Sequence, residues 1–517
     1  MFRWFVAKFS LLALVIISHI KSVPESEFIA AVYEHVPPLN RPKEITRANA
    51  LGIMMRNIDT YEEQMVIARD KNSSIIVFPE YGLTGWNQTR SVFKHFLENI
   101  PDPKISSNPC LDPGINKTTP ILYRLSCLAR KYAMYLVVNM GDIKPCQKAS
   151  DPHCPGDGRY QYNTNVVFSD NGTLVARYHK QHPFMNEMKV VNRPRVPELV
   201  TFQTPFGKFG TFVCFDVLFQ APAVQLVTSV GIDHVVFPTA WFDVLPLFPA
   251  IGFHSSWARG IGVNFLAANT HVPSFANTGS GIYSSSGARE YYRSFSASGK
   301  LLIASLPKSP KKSPSNMTYV KTPGNTNDDV FYSDLFGDRF LFKELDKAEA
   351  IIRVCYPGSK SCCTLHYKMA AKLPDELYAL GVFDGLHTLE GQYYLRVCTL
   401  IKCFGMSRSS CGSQVSSAST IFDSFALRAE LNASHVFPAV VAHGVTLLRD
   451  EWDHDVPVKQ VESKRRLSKG LLSATLFGRV YSLDGGKTSS TGRATCGPTF
   501  ILTLRIVCIA MISVNLT

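Results

Sequence analysis

The chain has 517 residues, 45% of them hydrophobic and 18% charged, and its mean hydropathy is +0.02. These values exclude global disorder and a polytopic membrane protein, and the length predicts two domains, because one hydrophobic core rarely grows this large. The net charge of +13 is scattered, and its densest runs, 307–312 and 464–466, lack interleaved aromatic residues. We therefore expect solvated basic loops and no nucleic-acid partner.

The first residues predict a secreted protein. Arg3 and Lys8 precede the apolar run 9–17, and a polar stretch follows at 18–22. This pattern is typical of a secretory signal peptide, here residues 1–22. Glycosylation sequons of the form Asn-x-Ser/Thr agree with that compartment, and they lie at Asn72, Asn87, Asn116, Asn171, Asn316 and Asn432.

The region from about residue 27 to 306 alternates short β-branched runs with amphipathic stretches, which predicts α/β layering. A long helix is expected around 49–69. Candidate strands lie at 75–78, 135–139, 165–168, 209–213 and 234–237. Because these strands lack polar alternation, we expect sheets that are buried on both faces.

Three side chains with catalytic potential each follow an apolar strand: Glu80, Lys180 and Cys214. Strand ends in α/β folds are where catalytic groups gather. Taken singly, a cysteine after a strand is more commonly a small buried hydrophobe, and a lone lysine or glutamate is commonly solvated or ion-paired. In this combination and order they predict a cysteine-dependent amide hydrolase.

The chemistry assigns a role to each of these residues. Cys214 is the nucleophile, and a thiol pKa of about 8.5 falls beside a cation such as Lys180. Glu80 accepts the thiol proton and later passes it to the leaving amine. Lys180 and the N–H of Phe215 stabilise the oxyanion, and water hydrolyses the resulting thioester. This chemistry implies no metal and no organic cofactor.

The sequence after residue 306 changes character. The run 307–314 is rich in Pro, Lys and Ser, and strand-like segments such as 393–397 and 473–477 follow it. This predicts a smaller β-rich domain over 307–490, stapled by disulfides. The tail 491–517 ends in an apolar run preceded by small residues and a polar spacer, which predicts a removed GPI-anchor signal; a partly buried C-terminal segment is the alternative.

The cysteine count supports five disulfides. The chain has 13 cysteines; Cys496 and Cys508 leave with a cleaved tail, and Cys214 stays free. Ten then remain to pair in an oxidising compartment, with the connectivity open. They are Cys110, Cys127, Cys146, Cys154, Cys355, Cys362, Cys363, Cys398, Cys403 and Cys411.

Several segments, distributed over nearly the whole chain, resemble the vanin (pantetheinase) and biotinidase family of the nitrilase superfamily. They lie at 30–35, 158–165, 176–181, 206–210, 238–241, 278–283 and 378–387. The resemblance implies an αββα sandwich for residues 23–306 and places the catalytic triad on Glu80, Lys180 and Cys214. It also implies cleavage of pantetheine to pantothenate and cysteamine, as in vanins, or release of biotin from biocytin, as in biotinidase.

The segments 178–181 and 266–271 look more like vanins, so we predict a pantetheine hydrolase at the cell surface or secreted. Tyr81 departs from the acidic residue that the resemblance leads us to expect. Glu187 is a candidate second carboxylate for positioning substrate, with a surface glutamate as the alternative, and Trp241 is a candidate substrate contact. A biotinidase-like hydrolase and a catalytically silent, membrane-tethered paralogue remain as alternatives, and the oligomeric state is open.

Overall fold

The structure is a computed structural model, and it describes residues 24–39, 45–310, 317 and 328–484. The predicted signal peptide, the sequon at Asn316 and the predicted anchor signal in the tail lie outside these residues. Within the described ranges, no helix is both long and apolar enough to cross a membrane. The α-helices found there are α1 Arg47–Asp70, α2 Arg90–Phe93, α3 Pro113–Thr118, α4 Pro120–Tyr132, α5 Gln225–Thr228 and α6 Ala250–Ile261.

The first half of the described chain forms two sheets. Their strands are β1 Glu27–Glu34, β2 Ile75–Val77, β3 Leu97–Glu98, β4 Tyr135–Pro145, β5 Arg159–Phe168, β6 Leu174–His179, β7 Thr201–Thr204, β8 Gly207–Thr211, β9 His234–Thr239, β10 Asn264–Asn269, β11 Ser280–Ser284, β12 Gly287–Tyr292 and β13 Lys300–Pro307. The first sheet runs β13-β1-β2-β4-β5-β6, with β3 beside β4, and the second runs β12-β11-β10-β9-β8-β7. Both sheets have three adjacent parallel strands at their centre, β1-β2-β4 and β8-β9-β10.

The two sheets pack face to face, with helices on the outside. Apolar side chains from both sheets, including Val77 and Val236, fill the space between them. Helices α1 and α4 cover the outer face of the first sheet, and α6 covers that of the second. α1 begins at a capping box formed by Thr46 and Asn49, which satisfies backbone N–H groups at the start of the helix. This is the predicted αββα sandwich, with sheets buried on both faces.

The second half of the described chain is a β-sandwich. Its strands are β14 Val330–Leu335, β15 Asp338–Glu344, β16 Glu349–Cys355, β17 Cys362–Met369, β18 Tyr378–His387, β19 Tyr393–Lys402, β20 Phe422–Glu430, β21 His435–Ala442, β22 Thr446–Leu447, β23 Trp452–Asp455, β24 Gln460–Ser463 and β25 Leu471–Arg479. One sheet runs β14-β15-β18-β19-β25-β21-β22 and the other β16-β17-β20-β24-β23. The predicted β-rich second domain is confirmed.

The ten predicted cysteines all pair. The disulfides join Cys110 to Cys127, Cys146 to Cys154, Cys355 to Cys362, Cys363 to Cys398, and Cys403 to Cys411. The Cys363–Cys398 bond links β17 to β19 and so ties the two sheets of the second domain together. Among the described cysteines, Cys214 is the free one, as the count predicts.

The two halves share a continuous hydrophobic core. All twelve residues of α6 are buried, because one face packs on the second sheet and the other on β21 of the second domain. Phe253 and Phe477, one from each half, meet with ring centroids 5.7 Å apart. Next to the predicted boundary at residue 306, Pro307 pairs with Glu27 at the end of β13.

Candidate active site

The strand topology brings the three predicted residues together. Glu80 lies in the turn after β2, and Lys180 directly follows β6 in the same sheet. Cys214 follows β8 in the other sheet and begins the short 3₁₀ helix Cys214–Leu218. The side chains therefore meet where both sheets present the ends of these strands.

Glu80 and Lys180 form a buried ion pair. The Lys180 Nζ lies 2.7 Å from the Glu80 Oε1, and the two side chains are 2% and 1% exposed. The other carboxylate oxygen, Oε2, accepts the backbone N–H of Ala240 at 2.8 Å. This bond fixes the Glu80 side chain against the loop that follows β9.

Glu187 lies inside this cluster, and its side chain is 11% exposed, so the surface alternative is wrong. It belongs to the short 3₁₀ helix Met185–Lys189. Its Oε2 accepts from the Lys180 Nζ at 2.7 Å and from the N–H of Phe184 at 2.7 Å. Lys180 therefore bridges two carboxylates.

Three buried asparagines form a hydrogen-bond network that reaches the two carboxylates. The Asn163 Nδ2 donates to Glu80 Oε1 at 2.7 Å and to Glu187 Oε1 at 2.8 Å, so one amide group orients both carboxylates. The Asn139 Nδ2 donates to the Oδ1 atoms of Asn163 and Asn165. The Asn165 Nδ2 donates to the Thr211 hydroxyl at 2.9 Å and so connects this network to β8, which leads to Cys214.

The backbone at Cys214 is held in an unusual conformation. Its φ is 47°, in the left-handed region that non-glycine residues seldom occupy. Asp216 accepts the N–H of Val213 at 3.0 Å, the N–H of His182 at 2.8 Å and the Tyr178 hydroxyl at 2.7 Å. These bonds stabilise the strained turn, and burial raises the pKa of Asp216 to about 7.

The environments of the two carboxylates differ. Burial raises the pKa of Glu80, and the Lys180 charge offsets this only in part. Burial also acts to raise the pKa of Glu187, but Lys180 and several hydrogen-bond donors outweigh it and lower the pKa. The two carboxylates outweigh burial at Lys180 and raise its pKa, so it stays charged. A pair of carboxylates with pKa values shifted apart is typical of an acid–base site, and Glu80 is the one suited to take up a proton.

The thiol pKa differs from the sequence expectation. Burial and the negative charge of Glu80 raise the pKa of Cys214, and Lys180 offsets this only in part. The expected lowering is wrong because burial, which is the largest effect, and the negative charge of Glu80 together outweigh the positive charge of Lys180. Cys214 is therefore a thiol at rest, and its proton must leave as it attacks.

Aromatic side chains surround the polar cluster. Phe215 directly follows Cys214, and its ring lies 5.2 Å from that of Phe184 and 6.3 Å from that of Tyr393 in the second domain. The Trp241 indole is 7% exposed, stacks on Phe253 and donates to the Phe248 carbonyl at 3.1 Å. These contacts give Trp241 a packing role, and its predicted contact with substrate stays a prediction.

The second domain also touches the turn that carries Cys214. The Arg479 Nε donates to the carbonyl of Leu218 at 2.8 Å, at the end of the 3₁₀ helix that Cys214 begins. A Cβ on Gly391 would lie 2.7 Å from the Phe215 ring, so any larger residue there would displace that ring. The turn that carries Cys214 is thus supported from both domains.

The described residues contain no group of three or more His, Cys, Asp or Glu side chains placed to hold a metal ion. The polar cluster instead combines a thiol, an ammonium and two carboxylates. Such a set supplies a nucleophile, an electrostatic stabiliser and an acid–base group, which are the functions that amide hydrolysis requires.

Two sequence models of known protein families match this chain. Residues 44–247 match the sequence model of the carbon-nitrogen hydrolase family, and residues 329–484 match that of the vanin C-terminal domain. Among solved structures, an amidase from Nesterenkonia sp. aligns with 56% of this chain and 94% of its own, at 18% identity and a TM-score of 0.39. The fold, the site and the matched family define a carbon-nitrogen hydrolase.

Curated relatives narrow the class to one family. The pantetheinase of Mus musculus is 46% identical, and the match covers 90% of this chain and 91% of the relative. The pantetheinase of Homo sapiens is 44% identical, and the match covers 90% of this chain and 92% of the relative. The biotinidase of Homo sapiens is 40% identical, and the match covers 88% of this chain and 90% of the relative. The chain belongs to the vanin and biotinidase family, which confirms the resemblance inferred from its motifs.

Sequence reasoning missed Asn139, Asn163 and Asn165, and it gave Asp216 no role. A usable signal exists, because asparagine is depleted in β-strands, yet Asn139 lies in β4 and Asn163 and Asn165 lie in β5, and all three are buried. Buried amides must find hydrogen-bond partners, so their presence predicts a polar network.

Proposed function

We propose that this protein hydrolyses the amide bond of pantetheine, giving pantothenate and cysteamine, with Cys214, Glu80 and Lys180 as its catalytic residues. The observation that carries the proposal is the buried cluster of Glu80, Lys180 and Glu187 beside a free Cys214, in a chain 46% identical to a pantetheinase. Glu187 is proposed to position the substrate.

In the first half of the reaction, the Cys214 Sγ attacks the amide carbon while Glu80 takes up the thiol proton. Lys180 and the N–H of Phe215 stabilise the oxyanion. When the tetrahedral intermediate collapses, the C–N bond breaks and Glu80 gives its proton to the departing amine, so cysteamine leaves and a thioester remains. The raised pKa of Glu80 suits both transfers.

In the second half, water attacks the thioester carbon while Glu80 takes one of its protons. Collapse of the second intermediate breaks the C–S bond, and Glu80 returns the proton to the Cys214 sulfur. Pantothenate leaves, and the enzyme regains its resting state. Over the whole cycle, one amide bond and one water molecule are consumed, and Glu80 and Cys214 return to their starting protonation states.

The direct test measures cysteamine release from pantetheine by the purified protein, with Cys214→Ala and Glu80→Gln as variants. Both changes are close in size to the native residue, and we expect each to reduce the rate by at least about a thousandfold, because the nucleophile or the proton carrier is lost. Thermal unfolding of each variant controls for folding. Absence of cysteamine release by the folded wild-type protein would contradict the proposal.

Biotin release is the second candidate activity, because a biotinidase is 40% identical over most of both chains. Biocytin is therefore assayed alongside pantetheine. Release of biotin without cysteamine would assign the protein to the biotinidase branch, and release of neither would favour the catalytically silent paralogue.

We propose further that the protein is secreted, glycosylated and held at the cell surface by a GPI anchor. Five disulfides among the described residues support an oxidising compartment. The sequon asparagines that the structure describes are all exposed: Asn72, Asn87, Asn116, Asn171 and Asn432. Glycosidase treatment should increase gel mobility, and phosphatidylinositol-specific phospholipase should release the protein from cells; retention after that treatment contradicts the anchor.

A further inference from the structure

Tyr81 occupies a strained position next to Glu80. Its φ is 55°, in the left-handed region, although it is not a glycine. Its N–H donates to the Asn139 Oδ1 at 2.9 Å, and its carbonyl accepts the N–H of Gly85 at 2.6 Å. Strain of this kind persists where surrounding contacts over-determine the backbone, and it is concentrated at functional sites.

The side chain of Tyr81 reaches across the cluster. Its hydroxyl donates to the Glu187 Oε1 at 2.5 Å, and its ring lies edge-on to Phe93 at 6.3 Å. Burial raises the pKa of the Tyr81 phenol well above its ordinary value, and the charges of Glu187 and Glu80 add to this. The phenol therefore stays protonated and acts as a donor.

The two carboxylates share two donors, Lys180 and Asn163. Glu80 has one further donor among the described residues, the N–H of Ala240. Glu187 has two, the N–H of Phe184 and the Tyr81 hydroxyl. Hydrogen bonds to the charged form of a carboxyl group favour that form, so this unequal supply keeps Glu187 ionised.

We propose that Tyr81 is a positioning residue that holds Glu187 against Lys180 and thereby leaves Glu80 as the carboxylate that exchanges protons with Cys214. The inference rests on the proposed function and adds a residue to its site. Tyr81 acts through Glu187, and it takes no part in bond making itself.

The pKa directions agree with this geometry. Burial raises the pKa of Glu80, whereas Lys180 and the donors outweigh burial at Glu187 and lower its pKa. The titratable and charged groups that act on Glu187 are Lys180, which follows β6, and Glu80 and Tyr81, which follow β2. Without the phenol hydroxyl, Glu187 would bind a proton at a higher pH and release its hold on Lys180.

The test is the variant Tyr81→Phe, which removes the hydroxyl and keeps the ring. We expect kcat/KM for pantetheine to fall by about ten- to hundredfold, mainly through kcat, because hydrogen bonds to charged groups are of this strength. The acidic limb of the pH profile should move to higher pH. Tyr160→Phe is the matched control, since Tyr160 also donates to a carboxylate, Asp151 at 2.6 Å, outside this cluster; its profile should match the wild type.

A double-mutant cycle with Glu187→Gln separates a positioning role from direct contact with substrate. If Tyr81 acts through Glu187, Tyr81→Phe should cost little more in the Glu187→Gln background. Additive losses, or an unchanged pH profile in Tyr81→Phe, would overturn the inference. An inactive wild-type protein would overturn the proposed function instead, so the two failures are distinguishable.

Discussion

Lys180 shows how much the site depends on single charges. Its Nζ lies 2.7 Å from both Glu80 and Glu187, and its side chain is 2% exposed. Burying one ammonium with two carboxylates is costly unless every group is paired and hydrogen-bonded. Asn163 and the backbone N–H groups supply those bonds, so the cluster is stable as a unit and sensitive to the loss of any member.

We predict that Lys180→Met lowers the free energy of unfolding at pH 7 by about 3–5 kcal/mol, because two buried carboxylates lose their counter-charge. The carboxylates of the variant then ionise less readily when folded than when unfolded. The loss relative to wild type should therefore be smaller at acidic pH and grow as the pH rises.

Denaturant unfolding at several pH values measures this effect. Lys131→Met is the matched control, because Lys131 pairs with Glu62 at 2.6 Å but is 60% exposed. Exposed ion pairs contribute little to stability, so the control should differ little from wild type at any pH. Similar losses in both variants would contradict the prediction.

The proposed triad could be predicted from the sequence because Glu80, Lys180 and Cys214 each follow a recognisable apolar strand. The sequence also predicted Glu187 as a candidate second carboxylate, but it did not predict the hydrogen bonds that join Glu187 to its neighbours. The Tyr81–Glu187 bond joins residues far apart in sequence, and Glu187 lies on a short 3₁₀ helix that has no amphipathic period to predict it. Such contacts depend on where loops lie relative to one another in the folded chain. The secondary-structure propensities of neighbouring residues carry no information about that.

At the scale of elements, the sequence predicted the α/β layering and the disulfide-forming cysteines but left their pairing open. Adjacent Cys362 and Cys363 show why. Cys362 bonds to Cys355 within one hairpin, whereas Cys363 bonds to Cys398 in the opposite sheet. Successive side chains on a strand point to opposite faces, so strand register decides the pairing, and register follows from the folded sheet.

The Cys363–Cys398 disulfide, which joins the two sheets, should contribute more to stability than the Cys403–Cys411 disulfide, which closes a short loop. We predict that replacing Cys363 and Cys398 by Ala lowers the free energy of unfolding by about 4 kcal/mol, since the bond closes a loop with a sequence separation of 35. Replacing Cys403 and Cys411, separated by 8, should cost about 2.5 kcal/mol. Equal losses in the two double variants, measured by denaturant unfolding, would contradict this ranking.

At the scale of the whole molecule, the second domain contributes to the geometry of the turn that carries Cys214. Arg479 is fully buried, and it donates to Leu218 at 2.8 Å and pairs with Asp484 at 2.7 Å. Its guanidinium also lies 5.1 Å from the ring centroid of Tyr393, which contacts Phe215. This connection could not be predicted from the sequence, because the residues lie in different domains.

We predict that Arg479→Met lowers both stability and catalytic rate. The buried Leu218 carbonyl loses its donor, which costs about 1–3 kcal/mol, and the helix that begins at Cys214 loosens. Arg396→Met is the matched control, since Arg396 pairs with Asp384 at 2.9 Å within the second domain. It should affect stability but leave kcat unchanged. An Arg479→Met variant with wild-type kcat would show that the second domain does not position the nucleophile.

Helix α6 has a consequence for biosynthesis. Its twelve residues are all buried in the folded chain, where β21 and the Phe477 ring of β25, both from the second domain, cover its outer face. A ribosome releases the hydrolase domain first, so the outer face of α6, with Phe253 and Trp257, is exposed to solvent until the later strands emerge. Nascent chains should therefore need chaperones during this interval, and products truncated before β21 should aggregate rather than yield a smaller active enzyme.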